Sequence, residues 1–222
     1  MPSLIPVIAI DGPAASGKGT LARRLARHFD FAYLDTGALY RAVGLQVMRT
    51  GGDTENQQDA VKAAQQLADL DLTDPELKSE STGGLASKVA TIQAVRDILL
   101  KFQQNFAQNP PGDKGGAILD GRDIGTIICP DADVKIFITA SVETRAKRRF
   151  IEEFGPAGND EDYTAILNEL TTRDKRDMNR ASSPLKAAEN AHLLDTTNSD
   201  IETVFEQALQ LISDKITTAS LP

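Results

Sequence analysis

Short apolar runs alternate with longer amphipathic segments along the whole chain. Short aliphatic runs predict strands at 5–10, 31–34, 117–119, 134–138 and 192–194. Segments with apolar residues three or four positions apart predict helices at 18–28, 36–49, 56–70, 92–106, 141–154, 162–180 and 201–216. Short buried strands that alternate with helices are typical of a parallel sheet covered on both faces. The pattern therefore predicts an α/β fold built on a five-stranded parallel sheet.

Composition and length favour one folded unit. The chain has 222 residues, of which 41% are hydrophobic and 25% are charged, so we predict a single domain over 1–222. The net charge of −8 disfavours nucleic-acid and membrane partners, because both require a basic face. A signal peptide and a membrane-spanning segment are not indicated, and we expect a cytoplasmic monomer. Cys129, between isoleucine and proline, is expected to be a buried thiol.

The strongest chemical motif joins the first strand to the first helix. It has the spacing of a phosphate-binding loop and consists of Gly12, Pro13, Ala14, Ala15, Ser16, Gly17, Lys18, Gly19 and Thr20. Glycines let backbone amides surround phosphate, and Lys18 adds a full positive charge beside the helix start. We predict that this loop binds ATP. Gly19 takes the position where many such loops bind Mg²⁺ with a hydroxyl, so we expect phosphate oxygens and water to hold the ion here.

Charged residues follow two further strands. Asp35 and Thr36 lie where the second strand meets a helix, and Arg41 lies five positions beyond Thr36. Asp120 and Arg122 directly follow the third strand. Because parallel strands end at one edge of their sheet, these side chains are expected near the phosphate loop. Asp120 suits the orientation of Mg²⁺-bound water, and the two arginines suit a second phosphate group.

A third set of charges lies on two predicted helices. Arg173, Asp177 and Arg180 share one helical face, either as a solvated ladder of ion pairs or as part of a site. A basic cluster precedes the Gly- and Pro-rich break at 155–160 and consists of Arg145, Arg148 and Arg149. We interpret it as the start of a lid at about 150–165. Arg148 and Arg149 are then candidates for stabilising a transferred phosphoryl group, and the sequence does not choose between them.

Four segments together resemble the bacterial cytidylate kinases, a family of P-loop nucleoside monophosphate kinases. They read IDGP from Ile10, LDTGALYR from Leu34, LDGRDIGT from Leu119 and RDKRDMNR from Arg173. The resemblance covers nearly the whole chain. It implies a kinase of pyrimidine nucleotide metabolism that transfers the γ-phosphate of ATP to CMP or dCMP with Mg²⁺.

The resemblance also assigns roles to acceptor-side residues. It implies that Asp123 contacts the cytosine amino group and that Ser87 and Arg96 read the rest of the base. A carboxylate can accept a hydrogen bond from that amino group, whereas uracil presents a carbonyl oxygen at the same place. It further places Arg173 and Asp177 near the sugar and phosphates. Asp35, Thr36, Arg41, Arg122 and Arg180 complete the implied acceptor site.

Two departures from the family pattern concern the acceptor side. Lys78, nine positions before Ser87, stands where an arginine is expected, and lysine lacks the bidentate fork. The acceptor-binding segment, at about 42–90, is short and lacks an alternating strand pattern. We expect it to be small and mostly helical.

The predicted mechanism is direct phosphoryl transfer without a general base, since positioning and charge neutralisation dominate this chemistry. Lys18, Arg122 and the lid arginines are the candidate catalytic residues. One alternative is a kinase for UMP or a non-nucleotide alcohol, although an alcohol would favour a positioned carboxylate base. Another is a nucleotide-sensing module without turnover. A GTPase is disfavoured, because the nearest match to its guanine motif, 198–200, has no lysine.

Overall fold

All five predicted strands are present and form one parallel sheet. The computed structural model describes residues 5–219. The strands are Val7–Asp11 (β1), Ala32–Asp35 (β2), Ala117–Gly121 (β3), Val134–Thr139 (β4) and His192–Asp195 (β5). Their order across the sheet is β2-β3-β1-β4-β5, and each neighbouring pair is parallel. The carboxyl end of the central strand β1 therefore lies between those of β3 and β4.

Helices cover both faces of the sheet. Within the described chain they are Lys18–Phe29 (α1), Thr36–Arg49 (α2), Gln57–Gln65 (α3), Glu80–Val89 (α4), Gln93–Gln108 (α5), Val142–Glu153 (α6), Asp160–Asn179 (α7) and Ile201–Ala219 (α8). One core cluster joins β1 and β3 to α2, α3, α4 and α5. A second cluster packs α1 and α8 on the opposite face. The α/β architecture predicted from the hydrophobic pattern is confirmed.

The segment 42–90 is helical, as predicted, but its helices differ from the expected ones. The prediction of a single helix over 56–70 was wrong, because α3 ends at Gln65 and 3₁₀ turns follow at Leu67–Asp69 and Pro75–Lys78. Helix α4 was not predicted. Lys78 ends the second 3₁₀ turn, and its side chain lies outside the part of the chain that the structure describes.

Two further findings bear on the sequence predictions. The thiol of Cys129 is half-buried rather than buried, and burial, followed by the charge of Asp11, raises its pKa to about 11. A single π-helical turn, Ile124–Ile128, follows β3 and was not expected. Among residues 5–219, we find no helix long and apolar enough to span a bilayer.

Candidate active site

The phosphate-binding loop connects β1 to α1 at the carboxyl edge of the sheet. Ala15 and Gly17 adopt left-handed backbone conformations, with φ of 57° and 88°, as the chain turns into α1. Gly12 is fixed by a close approach, because a Cβ there would lie 2.1 Å from the carbonyl oxygen of Ile138 in β4. The loop thus meets the start of a twelve-residue helix, where the helix dipole favours an anion.

Arg145 of α6 anchors this loop from behind. Its side chain is buried and donates to the carbonyl oxygen of Ala14 at 3.2 Å. It also forms an ion pair with Asp174 of α7, with an Nη2–Oδ2 distance of 2.6 Å. Arg145 is thus more buried than Arg148 and Arg149, with which the sequence analysis grouped it. The residue joins α6 and α7 to the phosphate loop.

A cavity of about 400 Å³ opens on one side of the loop. Its lining comes from the loop, β4, α6 and the β5–α8 connection, and comprises Ser16, Gly17, Thr20, Ile138, Arg148, Thr196, Ser199, Asp200, Ile201 and Val204. We call it the donor pocket. Its volume lies in the range of ligand pockets, which is about 300–1,000 Å³. The β5–α8 residues were missed in the sequence, although a segment following a strand belongs at this sheet edge.

The two candidate lid arginines point to different places. Arg148 lines the donor pocket and donates from Nη1 to the Thr196 hydroxyl at 2.9 Å. Thr196 in turn donates to the carbonyl oxygen of Ser16 at 3.2 Å, so that Arg148 is tied to the phosphate loop. Arg149 pairs with Glu152 and Glu153 of its own helix, at 3.5 Å and 3.8 Å. A catalytic role for either arginine stays a prediction.

A second cavity, the acceptor cleft, lies on the other side of Lys18. It is formed by α2, α4, α5, α7 and the segment after β3. The cleft contains every residue predicted for the acceptor site, namely Asp35, Thr36, Arg41, Ser87, Arg96, Arg122, Asp123, Arg173, Asp177 and Arg180. Its other lining residues are Lys18, Gly37, Tyr40, Ala86, Ala90, Asp120 and Gly121. Of these, Ala86 and Ala90 had no sequence signal, whereas Tyr40 lies within the LDTGALYR string.

Opposite charges face each other across the acceptor cleft. Arg41 forms an ion pair with Asp35 at 2.7 Å, and Arg122 pairs with Asp177 at 3.2 Å. Burial alone would raise the pKa of Asp177, but Arg122 and its neighbouring arginines hold it below the usual value. The carboxylate therefore stays ionised. The cleft that these pairs line has about 70 Å³ of free space.

The inner end of the cleft is built around Asp123. Its carboxylate forms an ion pair with Arg96, and both side chains are buried. Arg180 Nη2 lies 3.8 Å from the other carboxylate oxygen, Oδ1. This Nη2 atom is buried without a hydrogen-bond partner. A carboxylate that accepts hydrogen bonds and an N–H group that donates them are thus both available to a ligand at this end of the cleft.

Lys18 and Asp120 form the centre of the site. Burial, followed by the positive charge of Arg122, lowers the pKa of Lys18 to about 8. Burial raises the pKa of Asp120, and Lys18 opposes that change. Tyr33 donates its hydroxyl to Asp120 Oδ2 at 2.8 Å and so fixes the carboxylate. Tyr33 was missed as a site residue because it falls within a predicted buried strand.

The residues present fit a magnesium ion held mainly by its ligand. Within residues 5–219, no group of three or more His, Cys, Asp or Glu side chains is arranged to hold a metal. Asp120 provides one buried carboxylate, and a Cβ at position 19 would lie only 3.2 Å from its Oδ2. Glycine at that position keeps the approach to the carboxylate open. A single carboxylate beside a phosphate loop suits Mg²⁺, which retains several waters and binds substrate phosphates.

The fold is a five-stranded parallel sheet with a phosphate loop at its carboxyl edge, and two cavities meet at that loop. These features define a P-loop protein of the kinase type. The cytidylate kinase family model matches residues 8–214, and the chain belongs to that family.

Two relatives and one solved structure illustrate the similarity. The chain is 51% identical to the cytidylate kinase of Paramagnetospirillum magneticum over 209 residues, which cover 94% of this chain and 98% of that one. It is 52% identical to the cytidylate kinase of Methylocella silvestris over 206 residues, 93% of each chain. An uncharacterized protein from Eubacterium ventriosum has the same fold, with a TM-score of 0.56 at 17% identity, over 94% of this chain and 98% of that one.

Proposed function

We propose that the protein transfers the γ-phosphate of ATP to CMP or dCMP, giving ADP and CDP or dCDP. The observation that carries the proposal is the meeting of two cavities at the phosphate loop. Gly17 lines the donor pocket, and the next residue, Lys18, lines the acceptor cleft. A phosphoryl group held at this junction is accessible from both sides.

The transfer itself needs positioning and charge rather than a general base. A phosphate oxygen of the acceptor attacks the γ-phosphorus, and the bond from that phosphorus to the bridging oxygen of ADP breaks. The acceptor oxygen is already ionised near neutral pH, so no proton must be removed first. Lys18 neutralises charge on the β- and γ-phosphates, while Arg41, Arg122 and Arg180 hold the acceptor phosphate.

Magnesium belongs to this proposal through Asp120. When bound, the ion would supply positive charge that offsets the negative charge developing on the phosphates. Asp120 would hold it through water, and the hydrogen bond from Tyr33 keeps the carboxylate in place for that task.

Lid and acceptor regions follow from the same assignment. We propose that α3, α4 and their 3₁₀ turns form the acceptor-binding region, because Ser87 reaches the cleft from α4. The α6–α7 connection is the proposed lid. Its tip is small and is packed by the Phe150 ring, whose centroid lies 5.9 Å from that of Phe154 and 6.1 Å from that of Tyr163. We further propose that the enzyme acts as a monomer in the cytoplasm.

Base selectivity tests the acceptor assignment through Asp123. Asp123→Asn is expected to narrow the preference for CMP over UMP, mainly by weakening CMP. A carboxylate accepts from the cytosine amino group, whereas it meets the uracil O4 as one acceptor facing another. The measurement is ADP release with CMP, dCMP, UMP or no acceptor, expressed as kcat/KM, for the wild type and the variant.

Each outcome of this assay separates the alternatives. Absence of ADP release with every nucleoside monophosphate refutes the proposed reaction and favours a binding module or another acceptor. Equal use of CMP and UMP by the wild type removes Asp123 as the base-reading residue. The same conclusion follows if the selectivity ratio survives the substitution.

The charge of Lys18 predicts a pH dependence. In the free enzyme its pKa is about 8, so raising the pH through this value removes the proton and the positive charge that binds phosphate. The kcat/KM for ATP is therefore expected to fall above about pH 8 and to approach a tenfold loss per pH unit. The kcat at saturating ATP should fall only at higher pH, because bound phosphates keep Lys18 protonated. A flat kcat/KM profile up to about pH 9.5 would contradict the assignment.

A further inference from the structure

Asp11, the last residue of β1, directs its carboxylate sideways to the segment that follows β3. Its Oδ1 accepts a hydrogen bond from the amide of Ile124, and its Oδ2 accepts one from the amide of Gly125, both at 2.8 Å. The residue is 4% exposed and lines neither the donor pocket nor the acceptor cleft. Its contacts are therefore with the backbone that supports the site.

These two amides begin the π-helical turn Ile124–Ile128. Later amides of the turn have partners within it, because those of Ile127 and Ile128 donate to the carbonyl oxygen of Asp123 at 2.9 Å and 3.2 Å. The first amides of any helical turn have no such partner. Here the carboxylate of Asp11, on a neighbouring strand, is the hydrogen-bond acceptor for these first two amides. It thereby fixes the backbone immediately after Arg122 and Asp123.

The same residue precedes the phosphate loop. Asp11 lies opposite Gly121 in the parallel pairing of β1 with β3, and the amide of Gly12 donates to the Gly121 carbonyl oxygen at 3.3 Å. The start of the phosphate loop and the start of the Arg122–Asp123 segment are consequently held by two adjacent residues, the last of β1 and the one that follows it.

We propose that Asp11 is a positioning residue for acceptor recognition, which holds the 121–125 segment so that Asp123 and Arg122 face the acceptor. This inference rests on the proposed function. Asp11 touches no substrate in this account and acts only through the backbone. Burial raises its pKa to about 7, against the effect of the two amides, so the carboxylate is largely ionised at pH 8.

Asp11→Asn keeps the size of the side chain but replaces one accepting oxygen with a donating NH₂ group. That group then faces an amide donor, and the turn must shift. At pH 8 we expect the ratio of kcat/KM for CMP to that for UMP to fall at least about threefold, with little change in the KM for ATP. The ratio is independent of the fraction of active enzyme, so lower stability alone does not move it.

Two further variants make the test specific. Asp133→Asn is the matched control, because Asp133 accepts from the amide of Val7 at 2.8 Å, at the opposite end of β1. It should leave the ratio unchanged. Gly125→Ala perturbs the same turn with Asp11 intact, because its Cβ would crowd Lys135 at 3.1 Å from Cδ, whereas it would meet Asp11 Oδ2 at an ordinary contact distance of 3.5 Å. It should lower the ratio as Asp11→Asn does, and it replaces that variant if the latter fails to fold.

Hydrogen exchange gives a readout that does not depend on the acceptor. Peptides covering 121–129 should exchange faster in Asp11→Asn than in the wild type, and those covering α8 should not. A lowered CMP-to-UMP ratio together with faster exchange supports the inference. An unchanged ratio in a folded variant overturns it, as does unchanged exchange. A wild type without CMP-dependent ADP release refutes the proposed function instead, and the exchange data then decide whether Asp11 holds this segment.

Discussion

Lys18→Ala is expected to lower kcat by at least about 100-fold while the protein remains folded. The ammonium group stands where the donor pocket meets the acceptor cleft, and no other cation comes from the loop itself. Charge on the transferred phosphoryl group changes most in the transition state, so the loss should appear in kcat and not only in KM. Steady-state kinetics with a coupled ADP assay measure it.

The fold should survive this substitution for an electrostatic reason. Burial, followed by the charge of Arg122, lowers the pKa of Lys18, which means that the free enzyme holds this ammonium at a cost. Lys101→Ala, at an exposed position of α5, is the matched control and should retain wild-type kinetics. A folded Lys18→Ala enzyme with most of its kcat would rule out the phosphate-loop assignment.

Arg180→Ala is expected to lower kcat/KM for CMP by at least about tenfold, since a charged hydrogen bond contributes about 1.5–3 kcal/mol. The guanidinium is buried in the acceptor cleft, and its Nη2 has no hydrogen-bond partner. Burial, followed by the charge of Arg96, lowers its pKa, so an anion in the cleft would relieve unfavourable electrostatics. The KM for ATP should change much less. Initial rates with each substrate varied in turn give both values.

A structural role for Arg180 would give a different result. Its Nε donates to the carbonyl oxygen of Ser183 at 2.6 Å, so its removal also loosens the end of α7. Arg180→Lys keeps the charge without the planar fork and should recover part of the CMP activity. Arg176→Ala, one turn earlier in α7, is the matched control. If Arg180→Ala lowered kcat/KM equally for CMP and ATP, Arg180 would have a structural role in α7 and would not bind the acceptor.

The sheet and most of the acceptor cleft were predictable from the sequence for simple geometric reasons. Aliphatic runs such as Ile8–Ile10 are buried on both sides, and their length distinguishes strands from helices. Parallel strands end at one edge, which brings Asp35 and Asp120 together in register. Helical spacing placed Asp177 and Arg180 in the same cleft. The base-reading roles within the cleft came from the resemblance and not from spacing.

The failures have physical causes that local patterns do not carry. Helix α4 contains Gly83 and Gly84, each of which lowers helix propensity by about 1 kcal/mol relative to alanine. Tertiary packing overrides that preference, because α4 lies so close to α2 that a Cβ at Gly44 would come within 2.8 Å of Leu85 Cβ. The sequence pattern did not distinguish Arg145 from Arg148 and Arg149, the other arginines of α6. Only the fold shows that it points inward to the phosphate loop.

The central position of β1 has a consequence for how the protein is made. β1 and the phosphate loop are translated before either sheet partner of β1, namely Ala117–Gly121 and Val134–Thr139. On the ribosome the loop therefore has no sheet beneath it until β3 has emerged. The donor pocket also needs Thr196 and Val204, near the far end of the chain. A ligand stabilises only a state that can bind it, so a nucleotide in the donor pocket can assist folding only after Thr196 and Val204 have been synthesised.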